Sequence, residues 1–188
     1  GKNANVTYAE KHYGEGSGTG ERILNPVTQI FLEEGAVFTL DTAQIGGVDS
    51  TVRKTEVSME ADAKLFVMEK LMTHDNQTAV SDMTVEMNGA GSSAQIVSRS
   101  VAKGHSVQTF HPIAIGNALC HAHVQCDSII MDKAQISSIP EINARDIDAQ
   151  IIHEAAIGRI NNEQILKLRT FGMTEEEAEA VIIEDFLA

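Results

Sequence analysis

Apolar and polar residues alternate in short runs along most of the chain, and turn-forming residues separate the runs. From residue 51 to 59 and from residue 78 to 87, the alternation has the period of two that is typical of half-buried strands. Glycine-rich or polar stretches that suit turns lie at Gly14–Gly20, Gly46-Gly47, 73–76, 88–91 and Lys103-Gly104. Many short strands with turns between them predict a mainly β protein.

A four-residue unit recurs along these strands: a polar or turn-forming residue, an alanine, any residue, and a core-type residue. Its copies begin at Asn3, Gly35, Asp62, Ser93, Asn117, Lys133 and Asp148. The alanines are spaced by 32, 27, 31, 24, 16 and 15 residues, so the long spacings are roughly twice the short ones. Full and half turns of a coil would give these spacings, which favours a β-solenoid whose alanines point inward. The alternative is a β-sandwich with accidental alanine periodicity.

The C-terminal residues have a different pattern, which predicts a helical hairpin. Apolar residues cluster between Asn162 and Phe171, and Gly172 follows where a helix would stop. Thr174 and Glu177 have the spacing of a capping box at the start of a second helix. We therefore predict a β-helix core over residues 1–157 and a helical segment over residues 158–188.

The charge of the chain limits its partners. The formal net charge is −13, from 27 acidic and 14 basic residues, and such a surface repels nucleic acids and anionic membranes. Proteins, cations and metals are the expected partners. Gly1 stands inside an ongoing pattern, as in a shortened chain, and we find no signal peptide and no apolar run long enough to cross a membrane. We therefore expect a cytoplasmic protein.

The densest cluster of reactive side chains runs from Cys120 to Asp127. Alternation assigns Cys120 and Cys126 to the interior and His121 and His123 to the opposite face. On one extended strand the two cysteines lie about 20 Å apart, too far for a disulfide. Both cysteines suit core packing, whereas Cys126 also suits a thiolate ligand or sulfur acceptor. Cys120, His121 and His123 are secondary candidates for metal ligands, and a histidine pair is also common on an acidic surface.

A second candidate pair is His153-Glu154. The repeat points His153 inward, where an imidazole needs a polar partner and is either a satisfied core histidine or a ligand. Glu154 takes the opposite face unless the strand ends or bulges there. The other histidines are isolated in the sequence, and we expect structural or surface roles for them: His12, His74, His105 and His111.

Signatures of several common enzyme classes are absent from the sequence. It has no phosphate-binding G-x-x-x-x-G-K-[ST] motif, no G-x-S-x-G elbow and no H-E-x-x-H helix. The glycine-rich stretch Gly14–Gly20 is acidic and lacks the lysine of a phosphate loop, so we expect a flexible loop there. We also find no clear clusters of acidic and basic residues of the kind that a polysaccharide-acting β-helix enzyme uses. We expect this chain not to be an enzyme.

Four strings in the C-terminal half are specific as a combination, in their order and spacing. They are Gln125-Cys126-Asp127-Ser128, His153-Glu154-Ala155, the run from Gly158 to Ile165 and the run from Gly172 to Ala178. With these strings the chain resembles the SufB/SufD family of iron–sulfur cluster assembly proteins. The resemblance covers essentially the whole chain and is strongest from residue 117 onward.

The resemblance implies a right-handed parallel β-helix with C-terminal helices, on which iron–sulfur clusters form transiently. It implies a complex with the ATPase SufC docked at the helical end, a sulfur donor protein, and pairing of two scaffold subunits through their β-helices. ATP hydrolysis would belong to SufC. The alternative is a structural partner of such an ATPase that carries no cluster of its own.

The resemblance also implies roles for three residues. Cys126 matches the SufB cysteine implicated in sulfur acceptance and cluster ligation, and Glu154 matches the SufB glutamate paired with it. His153 matches the SufD histidine thought to ligate across the subunit interface. Because SufB and SufD usually divide these roles and this chain carries all three residues, we hypothesise a homodimer, with a SufB/SufD-like heterodimer as the other possibility.

Overall fold

The computed structural model describes residues 1–14 and 19–188, and in these residues the chain forms thirteen strands followed by two helices. The predicted loop at Gly14–Gly20 falls largely on residues 15–18, outside the described residues. The elements are β1 (Asn5–Tyr13), β2 (Ile23–Leu24), β3 (Val27–Leu32), β4 (Val37–Gly46), β5 (Ser50–Met59), β6 (Lys64–Thr73), β7 (Thr78–Met87), β8 (Ser92–Ala102), β9 (Val107–Gly116), β10 (Cys120–Ile130), β11 (Gln135–Ser138), β12 (Glu141–Ala144), β13 (Ala149–Gly158), α1 (Asn162–Thr170) and α2 (Glu175–Leu187).

The strands build two parallel sheets, and the chain passes from one to the other at each half turn. Sheet A has the order β1-β4-β6-β8-β10-β13, and sheet B has the order β11-β9-β7-β5-β2, with β12 beside β9 and β3 beside β5. Each strand pairs with the strand one full turn away, for example Asn5 with Val37 and Lys64 with Ser93. This pairing confirms the predicted β-solenoid, because a sandwich of hairpins would pair its strands antiparallel.

The alanine repeat correctly predicted a coil of stacked turns, but two of its copies do not occupy equivalent positions in the structure. Cys120 pairs with Ser92 on one side and with Ala149 on the other, so these three residues share one position of successive turns. Ala94 instead pairs with Leu65 and Ala122, two residues farther along the strand. The alanines of the copies that begin at Ser93 and Asn117 therefore lie two residues away from the position that the alanines of the other sheet A copies occupy. The four-residue unit alone does not show where a turn ends and a strand begins, so it cannot fix this alignment.

The interior of the solenoid has an apolar zone and a polar zone. Inward residues near the start of the sheet A strands, such as Leu40, Leu65 and Ile96, are almost fully buried and form the main core. Farther along the same strands the interior becomes polar, and Glu69 lies completely inside, where its carboxylate accepts a hydrogen bond from the Ser81 hydroxyl at 3.0 Å. Cys126 lies where the two zones meet.

The C-terminal helices pack beside the solenoid as a hairpin. Helix α1 ends at Thr170 and is followed by Gly172, whose φ of 96° only glycine adopts readily. Thr174 and Glu177 form the predicted capping box at the start of α2. Leu187 of α2 is buried against Val101 and Met131 of the β region. Among the described residues, neither helix is long and apolar enough to cross a membrane. Whether residues 158–188 form a separate domain stays a prediction.

Candidate functional site

The thiol of Cys126 and the imidazole of His153 meet at the last turn of sheet A. Cys126 is an inward residue of β10, and its backbone is paired with Ser98 of β8 and Ala155 of β13. His153 is an inward residue of β13 whose backbone is paired with Val124. Its Nε2 atom lies 3.3 Å from Sγ of Cys126, so the ring reaches diagonally across to the next inward residue. Alternation predicted that both side chains point inward, and this is confirmed.

This contact lies at the C-terminal end of the solenoid, where the interior becomes accessible. Strand β13 is the last strand of sheet A, and its inward residues become more exposed along its length, from His153 to Ala155 and Ile157. Cys126 itself is only 3% exposed, because β11 and β13 cover it. The thiol is therefore one side chain away from solvent, behind His153.

The surroundings favour the neutral forms of both groups. Burial raises the pKa of the Cys126 thiol, the nearby Ser138 hydroxyl partly opposes this rise, and the charges of Asp127 and Glu69 add to it. Burial lowers the pKa of His153, with a smaller contribution from His123. The pair is thus held as thiol and imidazole. A thiophilic metal would bind Cys126 by displacing its proton, because metal coordination deprotonates a thiol outright.

Glu154 lies on the other face of β13. It is exposed, pairs in register with Gln125, and its Oε2 lies 3.4 Å from Nε2 of His123. The strand neither ends nor bulges at this point, so Glu154 follows strict alternation. The structure therefore brings Cys126 and His153 together and places Glu154 with His123 outside. Within one chain, the three predicted ligands therefore do not converge on a single metal or cluster position.

The remaining candidates from the sequence lie apart from the Cys126–His153 contact. Cys120 is buried at the start of β10, where burial raises the pKa of its thiol and Gly116 packs against it. His121 is exposed on the outer face of the same strand. Neither cysteine of the chain is in a disulfide. Within residues 1–14 and 19–188, the structure has no group of three or more His, Cys, Asp or Glu side chains arranged to hold a metal ion.

Sequence reasoning missed the polar lining next to the thiol. A cavity of about 10 Å³, the room of about one water molecule, is lined by Cys126, Ser98, Ser138, Gln108 and Glu69, among others. Burial raises the pKa of Glu69, and the charge of Arg53 partly opposes this rise. The signal was present in the sequence, since Glu69 occupies an inward position in the alternation of β6. Its partners come from other turns and could not be identified from the sequence.

Comparison with protein families gives a match along the chain. The family model of the SufBD core domain, which belongs to the SUF system of FeS cluster assembly, matches residues 1–115 and residues 51–186. The two matches overlap, as expected for a protein built from repeated turns.

Curated proteins similar to this chain carry the same family name. An iron–sulfur cluster assembly SufBD family protein of Methanocaldococcus jannaschii is 29% identical over 100% of this chain and 59% of its own length. One of Pyrococcus horikoshii is 30% identical over 100% of this chain and 57% of its own length. One of Archaeoglobus fulgidus is 28% identical over 87% of this chain and 45% of its own length. The chain thus spans a little under three fifths of the first two relatives. It belongs to the SufBD core family of the SUF iron–sulfur cluster assembly system.

Proposed function

We propose that this chain is a scaffold on which iron–sulfur clusters are assembled transiently, with Cys126 as the residue that accepts sulfur or holds iron. The observation that carries the proposal is the 3.3 Å contact between Cys126 Sγ and His153 Nε2 at the accessible end of the solenoid, in a chain of the SufBD family. Thiolate and imidazole are both ligands that iron–sulfur clusters use. The cluster is cargo, since a site with only two ligands from one chain would release it readily.

The remaining ligands would come from a second scaffold subunit. Glu154 and His123 lie on the outer face of the last turns of sheet A, beyond the reach of the Cys126 thiol in the same chain. A homodimer, or a heterodimer of the SufB and SufD type, would add donors from the partner subunit to the Cys126–His153 pair. A separate sulfur donor protein would supply the sulfur.

The helical end is where we place the ATPase. A groove of about 580 Å³ runs between α2 and the solenoid, with apolar walls that include Met72, Ile183 and Leu187. Glu176 and Glu184 lie along it, so it suits an apolar segment flanked by basic residues. We propose that a SufC-type ATPase docks here in the cytoplasm. ATP hydrolysis would then belong to that partner, and this chain would itself catalyse no reaction.

Anaerobic reconstitution tests the scaffold proposal. The purified protein is incubated with ferrous iron and sulfide, and the cluster is measured by visible absorption and Mössbauer spectroscopy while light scattering gives the size. We expect a cluster on a dimer in the unchanged protein and its loss in Cys126→Ser. Cys120→Ser is the matched control, because Cys120 is also a buried thiol of β10, and its neighbour His121 faces the opposite side of the strand. A Cys126→Ser dimer that loads a cluster as the unchanged protein does contradicts the proposal.

A second candidate function is that of a structural partner of the ATPase without a cluster. The observation in its favour is that Cys126 is nearly inaccessible and neutral, and that Glu154 faces away from it. This candidate predicts that Cys126→Ser binds and stimulates the ATPase as the unchanged protein does, and that neither protein loads a cluster. Reconstitution of the longer protein, with its ATPase present, separates the two candidates.

A further inference from the structure

His111 lies between two carboxylates on the outer face of sheet B and bridges them. Its Nε2 lies 3.0 Å from Oε1 of Glu141 on β12, and its Nδ1 lies 3.4 Å from Oδ1 of Asp82 on β7. The sequence indicated a surface or structural role for this histidine, and His111 indeed lies on the outer face. The two carboxylates could not be identified from the sequence, because they come from the turns before and after its own. The bridge ties three successive turns of the solenoid together.

Glu141 belongs to a part of sheet B that is formed by two short strands. We call residues 135–144, which comprise β11, Ile139, Pro140 and β12, the closing segment. It pairs with β9 through two strands of four residues each. Between them the Ile139 N–H still donates to the Phe110 carbonyl at 2.9 Å, so the ladder is interrupted only at Pro140. By the register of both strands, Pro140 lies opposite Pro112, and neither proline has a backbone N–H to donate. The contact between His111 and Glu141 spans this interruption with a side-chain bond.

The closing segment covers the Cys126 thiol. Ile136 and Ser138 line the small cavity together with Cys126, and the Ser138 hydroxyl is near enough to influence the pKa of that thiol. All four residues of β12 are exposed, so little apolar burial holds this strand in place. Ordering of the segment therefore depends on β9 and on the His111 bridge.

The geometry of the bridge uses both ring nitrogens. A neutral imidazole has one N–H and can donate to a single carboxylate, whereas the imidazolium has two and can donate to both. Two carboxylates that face opposite nitrogens are therefore both satisfied only when each ring nitrogen carries a proton.

We propose that the Asp82–His111–Glu141 bridge is a clasp that holds the closing segment over Cys126 and so controls access to the thiol. The control of thiol access is argued from the contacts of His111 and of the closing segment alone. Its use in cluster assembly rests on the proposed function.

Few other charges face the clasp. On β5, Lys54 stands next to Asp82 in register and pairs with Glu56 at 2.6 Å. On the closing segment and on β9, the outward neighbours of His111 are Ile139 and Ile113, which are uncharged. The charged groups on the outer faces of the strands around His111 are therefore Asp82, Glu141 and the Lys54–Glu56 pair.

Alkylation of Cys126 by iodoacetamide, followed by peptide mass spectrometry, tests the clasp without iron or sulfide. The protein is assayed unchanged and as His111→Gln, with Cys120 as the internal reference. His74→Gln is the matched control, because His74 also pairs with a carboxylate, that of Asp75, but at a turn away from the closing segment. Amide hydrogen exchange of residues 135–144 is measured on the same samples at pH 6.

We expect His111→Gln to speed alkylation of Cys126 roughly tenfold at pH 6, the effect of about 1.4 kcal/mol on a local opening. The Cys120 rate and the His74→Gln protein should stay unchanged. Protection of residues 135–144 should be lower in His111→Gln than in the unchanged protein. An equal rise for Cys120 and Cys126 would indicate global loosening and overturn the proposal, as would an unchanged Cys126 rate. Cluster loading is then measured in a separate experiment. Failure of the scaffold proposal can thus be told apart from failure of the clasp.

Discussion

Cys126 and His153 are 27 residues apart in the chain, yet their Sγ and Nε2 atoms lie 3.3 Å apart at the end of the solenoid. One turn of the coil brings them together, with the imidazole between the buried thiol and the accessible end. The thiol is shielded, neutral and next to an imidazole. These properties suit the proposed scaffold site, in which sulfur or iron would be bound only on delivery.

The first prediction concerns the shielding by His153. We expect His153→Ala to speed alkylation of Cys126 by roughly an order of magnitude, because removal of the imidazole opens the path to solvent and lowers the desolvation of the thiol. Peptide mass spectrometry after a timed exposure to iodoacetamide gives the rate. Cys120 lies elsewhere on β10 and should react at its former rate. Equal Cys126 rates in both proteins would show that His153 does not shield the thiol.

The second prediction concerns the separation of Glu154 from the thiol. Glu154→Gln should leave the alkylation rate of Cys126 unchanged in the monomer, since the side chain faces the opposite side of β13 and contacts His123. If a second subunit completes the cluster site, the same change should weaken cluster loading of the dimer by several-fold. Light scattering establishes which species is measured. An effect of Glu154→Gln on Cys126 in the monomer would contradict the separation of the two faces.

The third prediction concerns the buried carboxyl of Glu69. Burial raises its pKa above 4.5, the usual value, so the folded protein binds this proton more tightly than the unfolded chain does. The stability from this group is therefore complete below pH 4.5 and is lost as the pH rises through the raised pKa. We expect the urea midpoint of the unchanged protein to fall over that range relative to the midpoint of Glu69→Gln. If the urea midpoints of the two proteins changed with pH in parallel, this stabilising role of the Glu69 proton would be refuted.

The fourth prediction concerns a turn between sheets B and A. Gly91 has a φ of 77°, and a β-carbon there would lie 2.3 Å from Oδ1 of Asp62 in the neighbouring turn. Gly91→Ala should lower the free energy of unfolding by about 1–3 kcal/mol, because the left-handed backbone and the contact both oppose a side chain. Gly46→Ala is the control, since a β-carbon at Gly46 meets nothing within 4 Å. Chemical denaturation gives the free energy of unfolding of both variants. Similar decreases for Gly91→Ala and Gly46→Ala would argue against the backbone and contact strain at Gly91.

The sequence by itself determined the fold class and the direction of most side chains. Alternation of apolar and polar residues is a local property, so it correctly predicted the strands, the inward direction of Cys126 and His153, and the outward direction of Glu154. The capping box at Thr174 was also readable, because a cap involves residues only three positions apart.

Only the tertiary structure decided which turns and side chains meet. Pairing between turns depends on the length of every corner, and a slip of one residue would reverse the faces of a strand. The alanine repeat was accordingly out of register at Ser93 and Asn117. The same register put His153 beside Cys126, buried Glu69 near Arg53, and placed His111 between Asp82 and Glu141. Each of these contacts joins residues at least 12 apart in the chain, and no local pattern encodes such a distance.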